Sequence, residues 1–361
     1  MTAQEVSGYV SGMPSLMVQR PEGGAWWQAL LHNRLNFGWQ PSDYFRVDVG
    51  MRNRLILGSE ILINPQSIGY DTGWLDLSWN WATWKNGTGN TSFDRLCLTF
   101  EVDRWKMQLG RQRINWGQTF VWNPHDLFNT YSFFDFDYVE RPGCDALRVT
   151  YYPGETSSVE WAVSVNHQHK TTAAVRYRWN KKGVDYQIVV GELAQTDFVV
   201  GGALTFDVKG LNIRSELSCF QPIKNLLDTC GTVAVSIGAD YIFANSLRLQ
   251  TEVLYNNVSK SLLNSGLMGL YAAPLSAKYL SICPWNLFAQ CTYPLTPRLN
   301  GSLSGIYFID MPALYSGLSL DYSVAENLDL SLIAQYLATF ATSTLEKLHL
   351  YLGFARMKYS F

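Results

Sequence analysis

The chain has 361 residues and a net charge of −2, with 16% charged and 14% aromatic residues. Soluble domains carry about 25% charged residues, and the sequence shows no basic cluster of the kind that binds nucleic acid. No run of about 18 consecutive apolar residues occurs, which excludes a helical membrane span. Low charge, abundant Tyr, Trp and Phe, and no helical span together point to a transmembrane β-barrel; a large soluble all-β protein is the alternative.

The opening residues MTAQEVSGYV contain no signal peptide. A removed signal with a mature start near Ala3 and Gln4 would account for this. Six cysteines (97, 144, 219, 230, 283, 291) lack CxxC spacing and a histidine at zinc-site spacing, so no metal or other cofactor is expected. Cys219 and Cys230 flank a proposed loop, where a disulfide and two small strand residues are equally good readings.

Taken in order, the chain alternates. A first strand covers about residues 6–17. In residues 25–40, Trp27, Ala29, Leu31, Leu35, Phe37 and Trp39 share one face, and Gln28, His32, Arg34, Asn36 and Gln40 the other. Residues 44–60 set Phe45, Val47, Val49, Met51, Leu55 and Leu57 against Arg46, Asp48, Arg52 and Arg54. Period two at this length is the strand signature. Soluble strands have about 5–6 residues, whereas a tilted membrane-spanning strand needs about 9–11.

Residues 61–91 read as a long loop, whose Trp74, Trp79, Trp81 and Trp84 fit a short helix, an extra hairpin or an aromatic rim. A hairpin follows (92–102 and 105–117), then the long loop 118–143. Alternation returns for thirteen further strands, interrupted by a third long loop at 259–283. Counting 6–17 gives about 18 strands, with 16 as the alternative. Short turns lie on one side, taken as periplasmic, and longer loops on the other, as in outer-membrane barrels. The expected fold is a single all-β transmembrane barrel over residues 1–361, wide enough inside for water.

The chain ends on Phe361, with aromatic or apolar residues at alternate positions before it. This resembles the closing-strand signal read by the bacterial barrel assembly machinery. Leu348, Leu350, Leu352 and Phe354 fall on the other parity, so a bulge near Ala355 is expected.

The polar strand faces should line the lumen. They carry Arg34, Arg46, Arg52, Arg95, Arg148, Arg176, Arg178, Arg214 and Arg248, with Glu101, Glu160, Asp185, Glu216 and Glu252 among them. Such charges are costly in lipid and must face water or one another. A solute-selecting ladder and a set of interior ion pairs are equally good readings. The last third has mostly neutral inward positions, such as Asn286, Gln290, Ser304 and Gln335, so a transverse field across the pore is expected. Loop 118–143 interleaves Asp126, Asp135, Asp137 and Glu140 with aromatics. Folded inward, it would form a constriction together with Arg111 and Arg113. These two arginines share parity with lipid-facing Met107 and Leu109, and a bulge near Gly110 would turn them inward.

The stretches GRQRINWG (110–117), WNPHDLFN (122–129) and ERPG (140–143) resemble a motif of porin-like outer-membrane barrels from Bacteroidetes-type bacteria. The resemblance implies a bacterial outer-membrane location and a porin or transport role. It supplies no catalytic residues, and no nucleophile elbow, zinc pair or phosphate loop occurs. His167 and His169 at a proposed rim, with Ser157 and Ser158 at the far end of the same strand, read as surface residues rather than a rim hydrolase.

The expected function is a passive channel for small polar solutes. Its rivals are a transporter of an anionic oligo- or polysaccharide and a plugged structural subunit of a larger complex. Expected partners are outer-membrane lipids and lipopolysaccharide, the assembly machinery through Phe361, and either a homo-oligomer or a membrane-complex partner.

Overall fold

A computed structural model describes residues 3–21, 23–59, 68–130, 143–224, 231–257, 276–340 and 347–361. Asp135, Asp137, Glu140, Cys230 and most of 259–283 lie outside these residues. Nineteen strands are described: β1 (Ala3–Arg20), β2 (Ala25–Ser42), β3 (Phe45–Gly58), β4 (Ser78–Trp84), β5 (Gly87–Val102), β6 (Trp105–Gln112), β7 (Cys144–Gly154), β8 (Ser157–Val165), β9 (Thr171–Lys181) and β10 (Val184–Leu193). They continue with β11 (Asp197–Val208), β12 (Leu211–Pro222), β13 (Thr232–Ile242), β14 (Arg248–Asn256), β15 (Trp285–Thr296), β16 (Leu299–Phe308), β17 (Ala313–Ala325), β18 (Leu328–Thr339) and β19 (Leu348–Ser360).

All pairings are antiparallel. β3 bonds to β5, β19 bonds back to β1, and the eighteen strands other than β4 close a barrel. At the seam the Gly8 and Phe361 backbones exchange two hydrogen bonds of 2.9 Å. Closure removes the sheet edge that lipid cannot satisfy. The outward parity is apolar, as the alternation required: Leu96, Leu98, Phe100 and Val102 on β5, and Phe198 and Val200 on β11, are all exposed. Aromatic pairs belt the short-turn end, including Phe45–Phe100 (4.8 Å between centroids), Trp105–Tyr151 (4.6 Å) and Tyr177–Trp179 (4.8 Å).

Three expectations need correction. First, 61–91 is not all loop, because β4 and the start of β5 form a hairpin within it, the extra-hairpin reading. On its other side β5 bonds to β6 along Leu96–Val102 and to β4 along Gly87–Ser92. β4 runs in the direction of β6 and continues its line, so two separate segments make one wall strand. β6 needs this extension because it stops at Gln112, short of the expected 117, where the chain turns into the lumen.

Second, the β5–β6 and β6–β7 ladders run through Gly110 without a register shift, so no bulge reverses Arg111. Gly110 instead has φ +114°, which only glycine adopts without strain, and an added Cβ would meet the Leu96 carbonyl oxygen at 2.2 Å. Arg111 keeps the outward parity of Leu109 and is buried at the end of β6. Third, β19 pairs with both neighbours without a register shift, so there is no bulge at Ala355. Leu348 and Leu350 point inward for a different reason: part of the barrel interior is apolar.

Candidate functional site

The polypeptide leaving β6 crosses the lumen. Ile114, Trp116, Val121, Trp122 and Leu127 are buried against inward residues of the wall, among them Val189, Val199, Phe220, Leu254, Phe288 and Leu337. Trp122 meets Phe288 edge-on at 6.5 Å, and Trp116 meets Phe128 at 5.1 Å. This is a protein core inside a barrel. It closes the loop-side half of the interior from β8 round to β19.

Segment 113–130 has little regular structure, so its buried N–H groups need partners. Two wall glutamates supply them. Glu216 on β12 accepts from the backbone N–H of Gln118, Thr119 (2.9 Å) and His125 (3.0 Å). Glu252 on β14 accepts from Phe120 (2.7 Å), Val121 (3.0 Å) and Trp122 (2.8 Å), and is braced by Ser236 Oγ at 2.7 Å. Successive N–H groups converging on a carboxylate form an anion nest, here filled by the wall's own side chain.

Glu160 on β8 accepts from Trp116 Nε1 and pairs with Arg148 (2.6 Å) and Arg176 (3.1 Å). Gln187 Nε2 donates to the Trp116 carbonyl (2.8 Å) and contacts His125 Nδ1 (2.7 Å), leaving His125 Nε2–H for the Leu217 carbonyl at 3.1 Å. The ring is fully buried, and burial pushes its pKa down to about 4, so the imidazole is neutral. Gly201 makes room for it, because a Cβ there would lie 2.5 Å from Nε2.

The residues singled out from sequence separate into different settings. Arg111 holds Asp145 (2.7 Å) and Asp71 (2.5 Å) and donates to the Leu75 carbonyl (2.6 Å), locking segment 71–77 across the ends of β6 and β7. Asp126 lies in the plug and accepts from the Trp116 and Gly117 amides at 2.9 and 3.0 Å. Arg34 is buried with Asp94, and Arg52 Nε contacts His32 Nε2 at 3.1 Å. Arg178 pairs with Asp185 (3.4 Å), while Arg214 (3.5 Å) and Arg248 (3.3 Å) share Asp240. Much of the arginine ladder is therefore ion-paired.

Four predicted residues do come together. A cavity of about 550 Å³ lies at the short-turn end beside β2, β3, β5 and β6, lined by Arg46, Arg95, Glu101 and Arg113 with Asp48 and Lys106. Arg46 pairs with Asp48 (2.8 Å) and Lys106 with Glu101 (3.3 Å). With Asp43 also on the wall, four basic side chains (Arg46, Arg95, Lys106 and Arg113) face three acidic ones (Asp43, Asp48 and Glu101), a slight cationic excess. Among the described residues no three His, Cys, Asp or Glu side chains cluster as metal ligands. Ser157 and His167 sit at opposite ends of β8.

Sequence reasoning missed the glutamate nests, placing Glu216 and Glu252 among possible partners of arginine. The available signal was a carboxylate at the middle of an inward face, with glycine or serine opposite it at Ser236 and Gly238.

No family model matches the sequence, and none of the curated proteins matches it. Solved structures do match. OccAB4 of Acinetobacter baumannii superposes with a TM-score of 0.60 at 10% identity, covering 99% of this chain and 98% of that one. Pseudomonas aeruginosa OccK5 (OpdH) gives 0.61 at 8% identity over 98% of each chain. OccK1 (OpdK) of the same organism gives 0.59 at 9% over 99% of each. The chain shares their barrel fold. OpdK is described as an outer membrane protein and has also been solved with vanillate.

Proposed function

We propose that this chain is a passive channel for small polar solutes in the bacterial outer membrane, narrowed by the inward segment 113–130. The carrying observation is the charged cavity of about 550 Å³ beside a plugged part of the interior. A core that fills the β8–β19 side leaves the short-turn end of the β2–β6 side as the water-accessible part of the lumen, so the path begins off-centre. The location is supported by the lipid-facing belt and by the fold shared with an outer membrane protein.

The basic side chains of the cavity wall favour acidic solutes, a finer reading consistent with OpdK having been solved with vanillate, a carboxylate. The test is single-channel conductance in planar bilayers. The reading expects steady unitary currents, which rise several-fold when residues 118–126 are replaced by a short Gly-Ser link. An absence of current from both proteins would favour a plugged structural subunit instead.

A further inference from the structure

The lipid-facing surface carries a polar row at mid-bilayer depth. On β2 the outward residues run Trp27, Ala29, Leu31, Asn33, Leu35, Phe37 and Trp39, with Trp27 and Trp39 both exposed. Interfacial tryptophans mark the two edges of the hydrocarbon. Asn33 is midway between them, roughly 20 Å along the strand from each at about 3.3 Å per residue. The ladder register places Asn33 opposite Asn53 on β3, and Asn53 opposite Thr91 on β5. Asn33 and Asn53 are half-buried and share parity with exposed Leu31 and Leu57, and Thr91, placed on the same side by the ladder, is itself covered; Leu30, Arg52 and Ile56 on the alternate parity are buried inside.

The three side chains bond across the strands. Thr91 Oγ1 donates to Asn53 Oδ1 (2.7 Å), Asn53 Nδ2 to Asn33 Oδ1 (3.1 Å), and Asn33 Nδ2 to the Tyr9 carbonyl (3.2 Å). Each amide nitrogen carries two hydrogens, and each makes one of these bonds. Hydrocarbon offers nothing to the remaining donors and lone pairs, and leaving such groups unpaired costs several kcal/mol. Polar side chains facing a membrane interior serve as glue between proteins.

We infer that this face, β2–β3–β5, is where a second copy of the chain docks. The argument for a second copy is depth. Copies inserted in the same direction are related by an axis along the membrane normal, so a row at one height meets its own counterpart at that height. Primary amides are self-complementary, each donating and accepting, as a two-fold contact requires. Ala29, on the same outward face of β2 beyond Leu31, is small enough to allow close approach.

The test uses the full-length chain in mild detergent and in reconstituted bilayers, with mass read by light scattering and copy number by photobleaching. Wild type is expected at twice 40.9 kDa. N33L/N53L is expected at the single mass while keeping the heat-modifiable gel shift of a folded barrel. Ala29→Trp keeps the three hydrogen bonds yet blocks approach, and is also expected at the single mass. A wild type that is monomeric in both media, or a dimer that survives both variants, overturns the inference. Unitary conductance is recorded in parallel, so loss of the dimer remains distinguishable from loss of the channel.

Discussion

At the scale of single residues, Glu216 and Glu252 matter through what they accept. Each carboxylate takes several backbone N–H groups of one segment, and hydrogen bonds to a charged group contribute about 1.5–3 kcal/mol each. Replacing the carboxylate by an amide keeps its size but halves its acceptor capacity and adds a donor aimed at other donors. E216Q and E252Q are therefore expected to keep the barrel's heat-modifiable migration while loosening the plug, with larger and noisier unitary currents; quiet wild-type currents would count against the nests as anchors. His125 adds a pH dependence. It is neutral when docked, with its pKa held near 4 by burial, and would return toward 6.5 if the plug were released. Between those values the released plug binds a proton that the docked plug does not. Docking is thus weakened as pH falls from about 6.5 toward 4, by at most about 1.4 kcal/mol per pH unit. Glu216 holds the His125 backbone, and Asp126 and Arg176 lie close enough to act on its charge. Conductance recorded at pH 7 and pH 5 should rise at the lower pH, and less so in His125→Asn.

At the scale of elements, the strands were legible because one parity is predominantly apolar. Val159, Trp161 and Val163 needed no structure to be placed on one face. The interior was harder to read. A lumen is expected to be polar, so Val189, Val199, Phe220 and Leu254, which break that rule, carried no recognisable signal until the plug was seen to cover them. The same expectation made Leu350 look like a bulge. An inward fold was expected for 118–143 from its acids and aromatics, and its described part, 118–130, takes that course; its anchors were not foreseen, since nothing in local sequence links Phe120 to Glu252, 132 residues away. β4 was only one of three readings of its tryptophans because Trp79, Trp81 and Trp84 do not keep one parity.

At the scale of the molecule, the interior is lopsided: an apolar core under β8–β19 and a charged cavity beside β2–β6. A path confined to one flank is governed by a few residues, the basic side chains Arg46, Arg95, Lys106 and Arg113 of the cavity wall foremost. In a salt gradient the channel is expected to favour anions. R95A/R113A should shift the reversal potential toward cations without changing the outward surface; an unchanged potential would place selectivity elsewhere.

The splice of β6 to β4 has one more consequence. Because residues 78–84 complete the wall above Gln112, the plug's root contributes nothing to sealing the sheet. Wall and filling are then separable modules of one chain. The lumen can be re-lined by exchanging 113–130 for another segment, as a lock takes a new cylinder, while every strand around it keeps its neighbours.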